Sequence, residues 1–290
     1  MKNSEIYYFS GTGNSLYVAR EIARLTHSEL IAIPGVIDHE KIQSESENLC
    51  LVFPVYLAQL NGIPLMVKRF VEKIDAIQTK KLFAVCTCGG LEYFNALPTL
   101  KNLERHVRTI GGHLCAGYSV RLPMNNLNYP PYVPHKHPEM FAKAEKKISD
   151  ISVRMLAGKK DKSYIGENIL NLLMTPLYRW MKNLYIADLK KKAKVDDTRT
   201  LNYEELIALT DRSIEINERC TGCGICVNVC PAGNIELNSN KPVWLHHCEM
   251  CMACDEWCPE KAIEHWNKKP GNDYHYPGIK RSDMILKTCK

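Results

Sequence analysis

Short apolar runs alternate with segments of helical periodicity over the first part of the chain. Apolar runs of strand type occupy positions 6–9, 30–33, 48–53 and 81–86, and a fifth strand is predicted within 111–122. Apolar residues also recur at the helical spacing i, i+3, i+4, i+7, at Val67, Phe70, Val71 and Ile74. Further helices are predicted over 91–108 and 139–156. Strands that alternate with helices predict an α/β fold with a doubly wound parallel five-stranded sheet.

A doubly wound sheet binds its ligands beyond the carboxyl ends of its strands, near the point where the strand order reverses. The loops after the first, third and fourth strands are the ones that should meet there. We predict that their residues bind a cofactor: Ser10, Gly11, Thr12, Gly13, Asn14 and Ser15; Pro54, Val55 and Tyr56; and Thr87, Cys88, Gly89 and Gly90.

The first of these loops has the chemistry of a phosphate site. It leads from a strand into a helix N-terminus, where free backbone amides and the helix dipole favour an anion, and its hydroxyls add further donors. The loop lacks the Lys of a P-loop, and Leu16 stands where the dinucleotide-binding fingerprint has its third glycine, so the loop matches neither motif. An uncharged nest suits one phosphate monoester. The alternative is an ordinary strand–helix turn.

The other two loops offer contacts for a flat ring system. Tyr56 presents an aromatic face for stacking, and the glycines after the fourth strand let the backbone approach a ligand edge. The alternatives are a surface aromatic at Tyr56 and small buried apolar residues at Cys86 and Cys88. No base is evident near Cys88, so we predict no nucleophile, and no catalytic side chain is assigned.

Two copies of one cysteine template lie in the C-terminal part of the chain. The spacing C-x2-C-x2-C-x3-C-P begins at Cys220 and again at Cys248, and the 28-residue offset extends to Ile235 and Ile263. An offset that continues beyond the cysteines indicates an internal duplication. This spacing is typical of bacterial two-cluster ferredoxins, whose fourth cysteine binds the cluster of the other run.

The template predicts two 4Fe–4S clusters with crossed ligands. Cluster I is assigned Cys220, Cys223, Cys226 and Cys258, and cluster II is assigned Cys248, Cys251, Cys254 and Cys230. A zinc ribbon needs only four ligands and leaves the third cysteine and the Cys-Pro of each run unexplained. A disulfide framework has little use in a cytosolic chain of this size.

Together these motifs resemble the flavodoxin–ferredoxin fusion proteins. Residues 10–15 match the flavodoxin loop Ser/Thr-x-Thr-Gly-x-Ser/Thr, which holds the 5′-phosphate of FMN, and residues 213–267 resemble a dicluster ferredoxin. The resemblance implies FMN and two 4Fe–4S clusters as cofactors. It also implies a flavodoxin-like domain over 1–158, a helical connection over 159–210, and a small α+β ferredoxin domain with a C-terminal tail over 211–290. The helices of the connection match by position only.

Charge is unevenly distributed along a chain whose formal net charge is +6. Residues 140–194 contain 13 Lys and Arg against 5 Asp and Glu, whereas 211–264 contain 4 against 9. The basic segment is either a solvated face, or it docks the acidic module or steers an acidic redox partner. No aromatic-interleaved basic motif accompanies the lysines, so nucleic acid is not expected as a partner.

Thirteen cysteines without a signal peptide or an apolar stretch of membrane-spanning length predict a reducing, cytoplasmic location. Residues 169–189 are expected to pack between the domains; a homodimer face and a membrane-surface contact are the alternatives. Residues 124–134, rich in Pro and Asn, are predicted to form a loop over the flavin edge or a rigid connection.

Two function classes follow from these parts. In the first, the protein is an electron carrier that couples one-electron and two-electron redox partners. In the second, it is an FMN-dependent reductase of a bound small molecule, with electrons supplied by the ferredoxin domain. A module with purely structural metal is the third and weakest alternative.

Overall fold

The computed structural model of the protein describes residues 4–58, 60–124, 134–161, 169–196, 201–266, 268 and 272–285, and over 169–179 it describes the backbone alone. None of the helices in these ranges is both long and apolar enough to cross a membrane.

A five-stranded parallel sheet forms the first domain. Its strands and helices are β1 (Ser4–Tyr8), α1 (Asn14–Thr26), β2 (Glu29–Ala32), β3 (Asn48–Pro54), α2 (Leu65–Lys73), β4 (Lys81–Cys88), α3 (Glu92–Thr109), β5 (Leu114–Arg121) and α4 (His137–Leu156). The strand order is β2-β1-β3-β4-β5, with every pair parallel. This is the flavodoxin-like order, so the predicted doubly wound fold is confirmed.

The central strands are apolar because both faces of the sheet are covered by helices. Leu49 to Phe53 of β3 and Leu82 to Cys88 of β4 are buried throughout. β4 continues two residues beyond its predicted end, because Thr87 pairs with Pro54 on one side and with Val120 on the other. Thr87 and Cys88 are therefore the last residues of a strand and not part of the loop.

The connection packs against both domains. It contains α5 (Ile169–Lys192), whose helical backbone continues through the proline at position 176. It also contains α6 (Tyr203–Ala208), which begins with a capping box between Asn202 and Glu205. A second apolar core forms where these helices meet the sheet domain and the C-terminal domain: Leu65, Leu189, Ala193, Leu206, Ile207 and Met250. Packing between the domains is thus observed for the end of α5.

The basic segment does not contact the acidic one through ion pairs in the described residues. Instead, the backbone carbonyls of Lys192 and Ala193 accept hydrogen bonds from Ser213 and Arg212, and Lys192 lies 5.5 Å from the Trp266 ring centroid. The end of α5 therefore docks through carbonyl groups left unpaired by the helix, apolar side chains and one cation–π contact.

The C-terminal domain shows the internal duplication as a structural repeat. Its elements are β6 (Glu215–Ile216), α7 (Ile225–Val229), β7 (Ile235–Asn238), β8 (Lys241–Trp244), α8 (Ala253–Glu256) and β9 (Ile263–Glu264), followed by α9 (Arg281–Met284) in the tail. β6 pairs with β9 and β7 pairs with β8, both antiparallel. One short helix follows the second cysteine of each run, so α7 and α8 are related by the 28-residue offset.

The two copies share even their unusual backbone angles. Gly222 and Gly224 have φ values of 72° and 73°, and the residues 28 positions later, Met250 and Met252, have 54° and 66°. A left-handed conformation costs a non-glycine residue about 1–2 kcal/mol. The two methionines therefore adopt an unfavourable backbone conformation that the repeated cysteine loop requires.

Candidate functional site

The three predicted loops converge at one edge of the sheet. The hydroxyls of Ser15 and Thr87 lie 2.8 Å apart, which joins the first loop to the end of β4. The amide of Val55 donates to the carbonyl of Thr87 at 2.8 Å, and the Tyr56 ring meets Phe9 edge-on at 6.2 Å. The topology therefore brings together residues that are separated by more than seventy positions in the sequence.

The first loop, Ser10 to Ser15, has the conformation of an anion-binding turn. Gly13 adopts φ 95° at the N-cap of α1, and its amide donates to Ser10 Oγ at 3.1 Å. The side chains of Ser10, Thr12 and Ser15 are buried. Neutral hydroxyl donors and the N-terminal dipole of a 13-residue helix fit a phosphate group.

The outer side of this loop is covered by the C-terminal part of the chain. Trp257 Nε1 donates to the Gly11 carbonyl at 2.9 Å, and the Tyr276 amide donates to the Thr12 carbonyl at 2.8 Å. Tyr274 Oη donates to Asn14 Oδ1 at 2.7 Å. These contacts occupy carbonyl and side-chain oxygens, which a phosphate does not use. Asn14, predicted to bind a cofactor, here ties the loop to the tail.

The tail is held on α1 by further contacts. Tyr276 stacks on Tyr17 with ring centroids 4.2 Å apart, and Asp283 pairs with Arg20 at 3.0 Å. Sequence reasoning did not connect the tail with the first loop; the available signal was its concentration of aromatic residues, since aromatic side chains far from a core usually pack somewhere.

The loop after β4 packs closely against the start of the following segment. A Cβ on Gly89 would overlap the side chain of Met124, and one on Gly90 would lie 2.5 Å from Asn95 Nδ2. Close approach therefore requires glycine at Gly89, where the Met124 backbone is in the way, whereas at Gly90 the Asn95 side chain could move aside. Residues 125–133 lie outside the described residues, so the predicted cover over the flavin edge stays a prediction.

The four cysteines assigned to cluster II surround one cavity. Its lining includes Cys230, Cys248, Cys251 and Cys254, together with Trp244 and His265. Burial lowers the pKa of His265 to about 3, with a further contribution from Lys268, so this imidazole is neutral. Backbone amides point at the sulfurs: Asn234 N donates to Cys230 Sγ at 3.3 Å and Met250 N to Cys248 Sγ at 3.2 Å. Such N–H···S bonds tune a cluster's potential.

The residues of the cluster I set also lie together, but nearer to solvent. Burial, together with the charges of the neighbouring Cys223 and Cys258, raises the pKa of Cys226 to about 11. Cys223 is exposed. The fourth member, Cys220, begins the same tight loop. Cluster I therefore reaches the surface, whereas Cys251 of cluster II is buried.

The geometry is not that of a mononuclear zinc site. Within the described part of the chain, no three His, Cys, Asp or Glu side chains are grouped so that they could hold a single metal ion. Four zinc ligands would have to converge at about 2.3 Å from one point. The ligands of a 4Fe–4S cube bind four different irons and therefore stand further apart than the ligands of one zinc ion.

The cluster II loop lies directly against the first loop and the Tyr56 loop. A Cβ on Gly11 would overlap the carbonyl oxygen of Cys251 and lie 3.0 Å from its Cβ. Burial raises the pKa of Tyr56 well above its usual value, and the charges of Cys251, Glu249 and Cys248 add to this shift. Cluster II is thus the one that adjoins the predicted flavin site.

Glu249 is a second feature that sequence reasoning missed. Its Oε2 accepts from the amide of Met66 at 2.9 Å, and its Oε1 pairs with Arg69 Nη2 at 2.5 Å. Burial raises the pKa of Glu249, and Arg69 opposes that shift. The sequence signal for a special role of this residue was a difference between the two runs, because the position of Glu249 is occupied by Thr221 in the first run.

Comparison with known proteins identifies the C-terminal domain. Residues 219–263 match the family described as 4Fe-4S dicluster domain, a span that includes all eight cysteines of the two runs. This part of the chain therefore carries two 4Fe–4S clusters. No curated protein sequence matches the chain significantly.

Solved structures similar to the sheet domain include flavodoxins. The Fusobacterium nucleatum flavodoxin bound to flavin mononucleotide is 18% identical with a TM-score of 0.38, over 55% of this chain and 100% of that chain. The two-electron reduced Megasphaera elsdenii flavodoxin is 16% identical with a TM-score of 0.34, over 52% and 98%. Because these TM-scores are low, the assignment of the sheet rests on its strand order.

Gly11→Ala should force the first loop and the cluster II loop apart, because the added methyl group overlaps the Cys251 carbonyl. We expect the free energy of unfolding to fall by about 1–3 kcal/mol, as for other overpacked sites. Thermal and urea denaturation of the iron-loaded protein would measure it. Gly35→Ala is the matched control, since nothing lies within 4 Å of its added Cβ. Equal effects of the two substitutions would contradict the close contact.

Proposed function

We propose that this chain, a fusion of a flavodoxin-like domain and a dicluster ferredoxin domain, is an electron carrier that passes electrons between its two 4Fe–4S clusters and FMN. It would couple one-electron and two-electron redox partners. The observation that carries the proposal is the direct contact between the cluster II loop and the predicted phosphate loop, at Cys251 and Gly11.

FMN suits the converging loops. Ser10, Thr12 and Ser15 would hold its phosphate at the N-terminus of α1, and Tyr56 would face its ring system. The Fusobacterium nucleatum flavodoxin is bound to the same cofactor. Bound FMN would supply exchange of one or two electrons, whereas each cluster exchanges one.

The order of the centres follows from exposure. Cys223 of cluster I is exposed, whereas the loop of cluster II is the one that touches the predicted phosphate loop. Electrons would therefore enter or leave through cluster I. A second protein with a one-electron centre is the partner that this arrangement suits, and a small-molecule acceptor at the flavin is the alternative. Eight cysteines assigned as iron–sulfur ligands suit a reducing compartment, which supports a cytoplasmic location.

The homodimer face predicted over 169–189 remains a proposal. Trp180 and Leu184, one helical turn apart on α5, are 60% and 51% exposed. Apolar side chains at this spacing form a stripe that a second copy could cover.

Thr12→Val should weaken FMN binding, because it removes one donor to the phosphate while keeping the shape of the side chain. A hydrogen bond to a charged group contributes about 1.5–3 kcal/mol, so the Kd should rise about 10- to 150-fold. Quenching of FMN fluorescence on titration into flavin-free protein would measure it. Thr79→Val, at an exposed position, is the control. An unchanged Kd for Thr12→Val would show that the phosphate lies elsewhere.

Cys220→Ala should remove cluster I and leave the four thiols of cluster II. Iron and acid-labile sulfide should fall to about half, with FMN retained. Reduction of the flavin by a one-electron protein donor should slow about tenfold or more, since the entry point is lost. Cys50→Ala, a buried cysteine outside both sets, is the control. Undiminished reduction with only cluster II present would contradict the proposed order.

The carrier and the reductase differ in what reoxidises the protein. After anaerobic reduction of clusters and flavin, a low-molecular-weight fraction and a protein fraction of host extract are added separately, and the flavin absorbance is followed. We expect reoxidation by the protein fraction. Reoxidation by the small-molecule fraction alone would instead establish a reductase.

A further inference from the structure

The two cysteine runs differ at the positions that face the sheet domain. In the first run, Thr221 is exposed and the next two variable positions are glycines. In the second run, the equivalent residues are Glu249, Met250 and Met252, with exposures of 3%, 5% and 3%. Both copies share the two left-handed turn positions and the short helix that follows, so the side chains at these positions distinguish the run that docks.

Glu249 is the only charged residue at these positions, and its hydrogen-bond and ion-pair partners, Met66 and Arg69, lie in the sheet domain. Its carboxylate caps the second residue of α2 through the Met66 amide and pairs with Arg69 one turn later. A helix N-terminus and a guanidinium both favour a buried negative charge. A buried carboxylate without such partners would be strongly unfavourable, so this ion pair specifies where the second run can dock.

The same carboxylate stands beside cluster II. Glu249 follows Cys248 directly and lines the cavity that is formed by the four cysteines of that cluster. It also lines a second cavity together with Tyr56 of the predicted flavin loop. One residue thus contacts the sheet domain and places a charge between two redox sites.

We propose that Glu249 is a positioning residue for electron transfer: together with Arg69 and the α2 amide it holds the cluster II loop against the Tyr56 loop, and its charge lowers the reduction potential of cluster II. Because a lower potential makes reduced cluster II a stronger reductant, its electron would be transferred to FMN and would not stay on the cluster. This rests on the proposed electron path through cluster II to FMN.

If charge sets the reduction potential of cluster II, then removing Glu249 and removing Arg69 should shift that potential in opposite directions, which a loss of packing would not do. Reduction adds one electron to the cluster, and a nearby carboxylate opposes that added negative charge, whereas a guanidinium favours it. Glu249→Gln should therefore raise the potential of cluster II and Arg69→Gln should lower it, although both substitutions break the same ion pair.

Redox titration of the full-length, cluster-loaded protein at pH 8, followed by electron paramagnetic resonance, tests this. We expect Glu249→Gln to raise the midpoint of cluster II by about 59 mV, which is tenfold in a one-electron equilibrium. Arg69→Gln should lower it by less, because its side chain is half exposed. Glu236→Gln, an exposed residue on β7, is the matched control and should change neither midpoint.

A second measurement reports the contact itself. Hydrogen exchange at the Met66 amide should become about tenfold faster in Glu249→Ala, the effect of losing a capping acceptor, and should not change in Glu236→Ala. Shifts of equal sign in Glu249→Gln and Arg69→Gln, no shift in either, or unchanged exchange at Met66 would overturn the proposal.

Failure of the proposed function is a separate result. If reduced clusters in the wild-type protein pass no electrons to bound flavin, the carrier hypothesis is wrong. The potential shifts and the Met66 exchange can still be measured in that protein, so they decide the role of Glu249 independently.

Discussion

The backbone contact between Gly11 and Cys251 is the constraint on which the rest of the arrangement depends. It leaves no room for a Cβ at position 11, so the predicted phosphate loop and the cluster II loop are in direct backbone contact. Trp257 reinforces this contact from the same domain by donating to the Gly11 carbonyl. The proposed electron exchange between the two sites would need them to be close, and packing within one chain brings their loops into contact.

Buried charges around this contact are paired, which is the condition for burying them at all. Glu249 meets Arg69, and on the other side of the dicluster domain Lys268 lies 2.5 Å from Asp255 and 2.8 Å from Asp273. The first pair joins the domain to α2, and the second joins it to the start of the tail. The tail in turn closes over α1 through Tyr276 and Tyr17. The domains are therefore connected by polar contacts of fixed geometry as well as by the apolar core around Met250.

The duplication explains how one sequence template can serve two purposes. Both runs need the same left-handed turns to wrap a cluster, which is why Met250 and Met252 adopt the angles of Gly222 and Gly224. Those positions carry no cluster ligand, so their side chains can differ between the runs. In the first run they are small and leave Cys223 exposed; in the second they are large or charged and fill an interface. An exposed and a buried cluster result from one backbone.

The sequence by itself determined what depends on local order along the chain. Periodicity predicted the five strands, and spacing predicted the cysteine runs, because neighbours in sequence produce a period or a ligand spacing directly. The end of β4 was missed by two residues, since Thr87 stays in the strand through pairing with Pro54 and Val120, which are distant in sequence. Only the tertiary structure decided that cluster II, and not cluster I, adjoins the predicted flavin loops, that Glu249 caps α2, and that the tail covers the first loop. Each of these joins segments that are separated by 183 to 260 residues, and no periodicity or spacing encodes such contacts.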